Sequence, residues 1–224
     1  DPLGNTTTYT YDSNGNQPSI TDALGNVTTY TYDAAGNLVR QTDALGGVTM
    51  YTYDANGNQT SATDALGNVT THVYDASGRV VSQTDALGNL TITEYDALGK
   101  TSATVDALGR RTKYVYDERG QQIQTIYPDG TSTLTEYDAA GRTIAQIDEL
   151  GRRTEFVYDA LSRQIQTIHP EGAITRTEYD AAGRTVASID ALGNRTEFEY
   201  DAAGRQILVR DALGNETTTA YDAA

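Results

Sequence analysis

The sequence predicts an all-β fold of β-solenoid type, in which tandem 21-residue β-hairpins form one continuous antiparallel sheet. A Tyr-Asp pair recurs eleven times at a spacing of 21 residues, without insertion or deletion, from Tyr11 to Tyr221. Turn signals alternate with β-branched segments in every repeat. Apolar residues make up only 38% of the chain, and Trp and Cys are absent, so we expect a thin, repeated core without disulfides.

Each repeat contains two turn signals, and residues 22–42 serve as the example. Asp22 precedes Gly25 by three residues, and Asp33 precedes Gly36 in the same way. This spacing predicts a three-residue hairpin loop, a type I turn followed by a glycine in the left-handed region, with the Asp carboxylate accepting backbone N–H groups. The glycine is kept in all first turns from Gly4 to Gly214, and in the second turns everywhere except Ser162. A serine in that conformation costs about 1 kcal/mol.

The first strand of the repeat has one constant and one variable face. Thr28 is Thr in every repeat, Tyr32 is Tyr in every repeat, and Tyr30 is replaced by Phe, His or Thr. The period of two places these three residues on one face, which we expect to pack, and the alternate positions from Val27 to Thr31 on a face that meets water.

The second strand and the first turn supply further apolar residues. Val39 recurs as Ile at positions 123, 144, 165 and 207, and the turn residue Leu24 recurs in nine of eleven repeats. We expect these side chains to form the apolar body against which neighbouring tyrosines rest.

These patterns organise the chain as a single array, residues 1–224, of about ten and a half repeats without polar caps at either end. Such an array is expected to be a window on a longer one or a polymerising unit. The residues that define the structural repeat are Asp22, Gly25, Thr28, Tyr32, Asp33, Gly36, Tyr53, Asp54, Tyr137, Asp138 and Gly141. In the later part the copied block is a pair of repeats, because residues 106–147 match residues 148–189.

The charge pattern argues against nucleic acid as a partner. The net charge is -15, and 20 of the 31 acidic residues occupy the two fixed turn positions, so turn chemistry accounts for most of it. No basic stripe is present to meet a phosphate backbone. No apolar run reaches the length of a membrane span.

Candidate catalytic and metal-binding residues are interpreted as parts of the repeat. Asp54 to Asn58 resembles the start of a calcium loop, but Gln59 stands where its glycine belongs. His72 and His169 are far apart and lack partners at metal-ligand or nucleophile spacing. We therefore predict no cofactor, no metal and no enzymatic activity.

The run Tyr-Asp-Ala-Ala-Gly-Arg, at residues 137–142 and again at 179–184, followed by Asp-Ala-Leu-Gly-Asn, resembles the YD-repeat or Rhs (rearrangement hotspot) family. The resemblance covers the whole chain. It implies a YD-shell, a β-sheet strip that spirals into a hollow shell, as in bacterial polymorphic toxins, insecticidal toxin complexes and the extracellular teneurins. In toxin members the shell encloses a toxic C-terminal domain, which a core segment after the repeats releases. Ordinary repeat continues to Ala224, so neither the toxin activity nor the proteolytic release of the toxin domain is carried over to this chain.

Two functions follow as expectations. The first is a non-catalytic wall segment of a secreted or surface protein, in a shell that encloses or delivers a toxin cargo. The second is an extracellular fibre, filament or adhesin, favoured by the constant repeat length. The expected partners are flanking repeats or identical chains, with an enclosed toxin domain or a cell-surface receptor as further candidates.

Overall fold

The computed structural model describes residues 6–222, and its regular elements are all β-strands. The chain comprises two compact units, one up to Lys113 and one from Tyr114 onwards. The prediction of an all-β, antiparallel array of tandem hairpins is confirmed. The predicted first turn at Gly4 lies outside the described residues.

The first unit contains ten strands and the start of the eleventh, within which the boundary falls. These strands are β1 (Thr8–Thr10), β2 (Ser19–Thr21), β3 (Val27–Tyr32), β4 (Leu38–Thr42), β5 (Val48–Tyr53), β6 (Gln59–Thr63), β7 (Val69–Tyr74), β8 (Val80–Thr84), β9 (Leu90–Tyr95), β10 (Thr101–Val105) and β11 (Arg111–Tyr116).

The second unit continues the same alternation of six-residue and five-residue strands. Its strands are β12 (Gln122–Ile126), β13 (Ser132–Tyr137), β14 (Thr143–Ile147), β15 (Arg153–Tyr158), β16 (Gln164–Ile168), β17 (Ile174–Tyr179), β18 (Thr185–Ile189), β19 (Arg195–Tyr200), β20 (Gln206–Arg210) and β21 (Glu216–Thr218).

The two kinds of hairpin differ in register. Across the first turn, β4 pairs with β5 without irregularity, from Arg40 opposite Met50 to Thr42 opposite Val48. Across the second turn, the register of β3 and β4 shifts between Thr31 and Tyr32. The same shift recurs at the end of β5 and β7 and, in the second unit, of β13, β15, β17 and β19. A bulge therefore accompanies the invariant tyrosine in these hairpins.

The turns have the predicted backbone conformation. Gly25 has φ +83° and Gly36 has φ +86°, both in the left-handed region that favours glycine. The Gly25 amide donates to the carbonyl of Asp22 over 3.0 Å, and the Asp22 amide donates to the carbonyl of Asn26 over 3.0 Å. Ser162 takes the glycine position of its turn with φ +63°, as the alignment of the repeats predicts. The spiral course of the array stays a prediction.

The core is thin, as the composition predicts. The fully buried apolar residues among residues 6–222 are three alanines, Ala103, Ala145 and Ala187, each 0% exposed. The constant face is half-buried: Thr28, Tyr30 and Tyr32 are all intermediate in exposure, while the residues between them are exposed. Stability therefore rests on the hydrogen-bonded ladder and on side-chain contacts between neighbouring strands, more than on a large apolar interior.

The expectation that the turn leucines support the tyrosines is wrong. Leu24 is 87% exposed, and its counterparts in the first unit are as exposed, with 97% at Leu45 and 88% at Leu66. The third turn residue lies in the loop that connects two strands, and its high exposure shows that no tyrosine covers its side chain. Tyrosines and second-strand residues such as Val39 remain to form the half-buried face.

The expectation that the variable face simply meets water is also wrong in part. The three buried alanines belong to it, since Ala145 lies opposite Glu136 on one side and Glu155 on the other. Opposed residues of an antiparallel pair point to the same face. Charged side chains on this face therefore shield a small apolar residue beneath them.

Candidate functional site

The most regular polar feature of the repeat is the hydroxyl of its invariant tyrosine. Tyr53 donates to the carbonyl of Leu38 over 2.8 Å, and Tyr158 donates to the carbonyl of Thr143 over 2.7 Å. Each partner lies 15 residues earlier, at the start of the preceding strand. Partial burial raises the pKa of Tyr53. The phenol thus ties one repeat to the backbone of the repeat before it, which the Tyr-Asp motif alone did not reveal.

The turn aspartates fix the conformation of the loops at both ends of the strands. Asp33 Oδ1 accepts from the backbone of Ala35 over 2.9 Å and of Asn37 over 2.8 Å. Asp33 Oδ2 accepts from the Asn37 side-chain amide over 3.0 Å. These bonds lower the pKa of Asp33, and the side-chain bond from Asn37 is the largest cause. Asp22 and Asp54 make the same set of bonds, the former at the opposite end of the strands.

In the later repeats arginine replaces asparagine at the end of the second turn. Arg142 Nε donates to Asp138 Oδ2 over 2.7 Å, and its guanidinium carbon lies 4.8 Å from the centroid of the Tyr158 ring in the next repeat. Backbone and side-chain bonds from Arg142 lower the pKa of Asp138. The arrangement recurs with separations of 4.4–4.8 Å in the pairs Arg79–Tyr95, Arg163–Tyr179, Arg184–Tyr200 and Arg205–Tyr221.

The same guanidinium also reaches backbone of the next turn. Arg163 Nη1 donates to the carbonyl of Asp180 over 3.0 Å, while its Nε donates to Asp159 Oδ2 over 2.7 Å. One side chain therefore joins the carboxylate of its own turn to the ring and carbonyl of the following one. We call this arrangement the Asp-Arg-Tyr ladder. The sequence signal for it is an arginine directly after the left-handed residue and 16 residues before a tyrosine, which sequence analysis did not use.

A second set of ion pairs crosses the variable face. Arg195 in β19 donates from Nη1 and Nη2 to the two carboxylate oxygens of Glu178 in β17, over 2.7 and 2.8 Å. The intervening strand β18 contributes buried Ala187, which lies opposite Glu178. The pairing lowers the pKa of Glu178 and raises that of Arg195. Equivalent pairs join Arg153 to Glu136 and Arg111 to Glu94.

The remaining repeat residues occupy ordinary positions in these elements. Thr28 lies in β3 opposite Ile20. Gly141 has φ +83°, and Tyr137 donates its hydroxyl to the carbonyl of Gln122 over 3.1 Å. Asp22 and Gly25 lie before the start of β3, and Tyr32 lies at its end. The predicted residues therefore form two rows, one at each end of the strands, rather than a single functional site.

The histidines and acidic turns form no metal cluster within residues 6–222. His72 lies in β7, where its buried Nδ1 has no hydrogen-bond partner and its ring centroid is 6.4 Å from that of Tyr74. His169 is the first residue of a proline turn, and its amide donates to the carbonyl of Ala173 over 2.8 Å. The same described segment holds no helix able to cross a membrane.

A series of hairpins in each unit, whose turns are fixed by aspartates and whose neighbouring repeats are joined by invariant tyrosines, defines a tandem β-repeat scaffold. The family model of the teneurin YD-shell matches residues 19–190, which is more than half of the chain, and that of the RHS repeat matches residues 179–216. The chain belongs to the teneurin YD-shell family and is a structural repeat scaffold. The resemblance drawn from the sequence is thereby confirmed.

Solved structures of toxin complexes are similar at low identity. They include the TcdB2-TccC3 complex (16% identity, TM-score 0.46, 99% of this chain and 18% of that chain) and TcdB2-TccC3-Cdc42 (14%, 0.44, 99% and 18%). A Tc holotoxin pore of Photorhabdus luminescens also matches (14%, 0.42, 97% and 17%). The present chain thus spans under a fifth of these structures. No curated protein matches significantly.

Proposed function

We propose that this chain is a non-catalytic wall segment of a secreted or cell-surface shell that encloses or delivers a toxin cargo. The observation that carries the proposal is the teneurin YD-shell match over residues 19–190, on a chain whose described part is hairpin repeat throughout. A wall must be continuous, and tyrosine hydroxyl bonds join neighbouring repeats within each unit, with the Asp-Arg-Tyr ladder added where the repeat carries arginine. The single array over residues 1–224 is part of the same proposal.

Its partners would then be flanking repeats and the enclosed polypeptide. Toxin-complex and teneurin proteins are secreted or surface proteins, which supports the same location for this chain. Side chains in the repeat are committed to turns, ion pairs and stacking, and this is consistent with a structural role.

A second candidate, an extracellular filament or adhesin, is favoured by the exposed turn leucines. Leu24, Leu45, Leu66 and Leu87 recur every 21 residues in the first unit and are between 87% and 97% exposed. A regular apolar row along the turns at one end of the strands suits lateral association of identical chains or binding of a cell-surface receptor.

Negative-stain microscopy of the purified 224-residue chain, with small-angle X-ray scattering, separates the candidates. Hollow particles support the shell, whereas long threads of constant width refute it in favour of the filament. In a second experiment, a candidate cargo polypeptide is co-expressed with the chain and treated with protease. Protection that disappears when the sheet is unfolded by acid supports enclosure, and digestion at the rate of free cargo contradicts it. The control is a variant with Leu24, Leu45, Leu66 and Leu87 changed to Ser, which should abolish threads but not hollow particles.

A further inference from the structure

One repeat of the second unit lacks the arginine of the Asp-Arg-Tyr ladder. Gln121 occupies the position that Arg163 holds 42 residues later, and it ends the turn that begins at Asp117. The next tyrosine along the ladder is Tyr137, which corresponds to Tyr179. In the repeats with arginine, the guanidinium binds the turn carboxylate, the next turn's carbonyl and the next tyrosine ring at once.

The glutamine does not replace these interactions. Its Nε2 donates to the carbonyl of Gly141 over 3.2 Å, whereas Arg163 Nε donates to Asp159 Oδ2 over 2.7 Å. Asp117 Oδ1 still accepts from the backbone of Arg119 over 2.9 Å and of Gln121 over 2.8 Å. The second carboxylate oxygen of Asp117 is thus not engaged by the residue that engages it elsewhere.

The side chain of Arg119 does not fill the gap either. Its Nη1 donates to the carbonyl of Ala139 over 2.7 Å, while the bond that Arg119 makes to Asp117 comes from its backbone amide and goes to Oδ1. This repeat therefore retains the three groups that bind the guanidinium elsewhere, which are the carboxylate of Asp117, the carbonyl of Asp138 and the ring of Tyr137.

A groove opens at this point. Its volume is about 650 Å³, and its lining includes Asp117, Arg119, Gln121, Tyr137, Asp138 and the apolar Ile123. The corresponding groove 42 residues later is about 560 Å³ and is lined by Asp159, Arg163 and Tyr179. In that repeat the guanidinium of Arg163 lies over the Tyr179 ring. Comparison of the two grooves shows that the first has no guanidinium over its tyrosine ring, where the second has that of Arg163.

We propose that this groove binds the guanidinium of an arginine side chain presented by a partner polypeptide. The carboxylate of Asp117 would accept two guanidinium N–H groups, the ring of Tyr137 would stack under its plane, and the carbonyl of Asp138 would accept a third N–H. This is the set of contacts that Arg163 makes within the chain. Planar, forked donors and ring stacking favour arginine over lysine. The net charge of -15 attracts a basic segment. The proposal does not depend on the shell function.

The test is a titration of the isotopically labelled full chain with N-acetyl-arginine amide, followed by amide NMR shifts. N-acetyl-citrulline amide, which has nearly the same shape without the charge, is the control ligand. We expect saturable shifts at Gln121, Tyr137 and Asp138 with a dissociation constant on the order of millimolar, and at least tenfold weaker binding of citrulline amide. Equal binding of the two ligands, or no saturable shift up to about 50 mM, overturns the proposal.

Variants separate a specific site from general attraction. Gln121→Arg restores the ladder, so the chain should remain folded while binding falls at least tenfold. Asp117→Asn should weaken binding similarly, and Asp159→Asn should leave it unchanged. The guanidinium of the Gln121→Arg variant should fill the groove and exclude the ligand. Undiminished binding of N-acetyl-arginine amide by this folded variant therefore contradicts the proposal.

Discussion

Arg163 and Tyr179 belong to successive repeats, and the guanidinium carbon of Arg163 lies 4.7 Å from the centroid of the Tyr179 ring. The same arginine pairs with Asp159 at 2.7 Å, with 26% of its side chain exposed. The contact couples neighbouring repeats through a side chain at the sheet edge. In a linear array, such nearest-neighbour terms decide whether repeats unfold together or separately.

The first prediction concerns this contact. Arg163→Gln reproduces the residue found at position 121 and removes both the stacking and the ion pair. We expect a loss of about 1 kcal/mol, because a cation–π contact and a partly exposed ion pair each contribute a fraction of that. Thermal unfolding of the two proteins measures it. Arg152→Gln is the matched control, since Arg152 pairs with Asp148 but is 57% exposed, and it should change stability by less than about 0.5 kcal/mol.

The second prediction compares two turn glycines with the same φ of +83°, Gly88 and Gly99. A Cβ at Gly88 meets nothing within 4 Å, whereas one at Gly99 would lie 3.0 Å from Arg79 Nη1. Gly88→Ala should cost about 1 kcal/mol for the left-handed backbone alone. Gly99→Ala should cost roughly 0.5–1 kcal/mol more, because it displaces Arg79 from the Tyr95 ring. Urea unfolding measures both, and equal costs would contradict the role of the stack.

The third prediction concerns acid. Hydrogen bonds to the carboxylates hold the pKa of Asp33, Asp54 and Asp138 below the ordinary 3.8. A group with a lowered folded pKa stabilises the folded state above its unfolded pKa, and this contribution is lost as pH falls through the folded value. The melting temperature should therefore be constant between about pH 7 and 5 and fall progressively below about pH 4. A melting temperature that rises on acidification in that range would refute the carboxylate assignments.

The fourth prediction concerns the ion pair above Ala187. This residue is 0% exposed beneath the pair of Arg195 and Glu178. Ala187→Gln introduces a side chain that must displace the pair, and we expect a loss of about 1–3 kcal/mol. Gln166→Ala, at the equivalent position of the preceding repeat, should change stability by less than about 0.5 kcal/mol. Chemical denaturation of both variants checks the difference. Equal changes in stability for the two variants would show that the Arg195–Glu178 ion pair does not cover Ala187.

Local chemistry allowed much of the fold to be predicted. The spacing of Asp33 and Gly36 specifies a turn within five residues, and its backbone was found as expected. The alternation of Thr28, Tyr30 and Tyr32 likewise depends only on the period of a strand. The prediction that Leu24 packs against tyrosines was wrong, because the hydrophobicity of a turn residue does not determine whether its side chain is covered or exposed.

The sequence by itself determined the strands, the tight turns and their constant spacing, since each depends on residues within a few positions of one another. Only the tertiary structure decided which distant side chains meet. Arg163 reaches Tyr179 and Arg195 reaches Glu178 because the hairpins are stacked in one particular register. That register places residues 16 or 17 positions apart side by side, and no local propensity encodes such a separation.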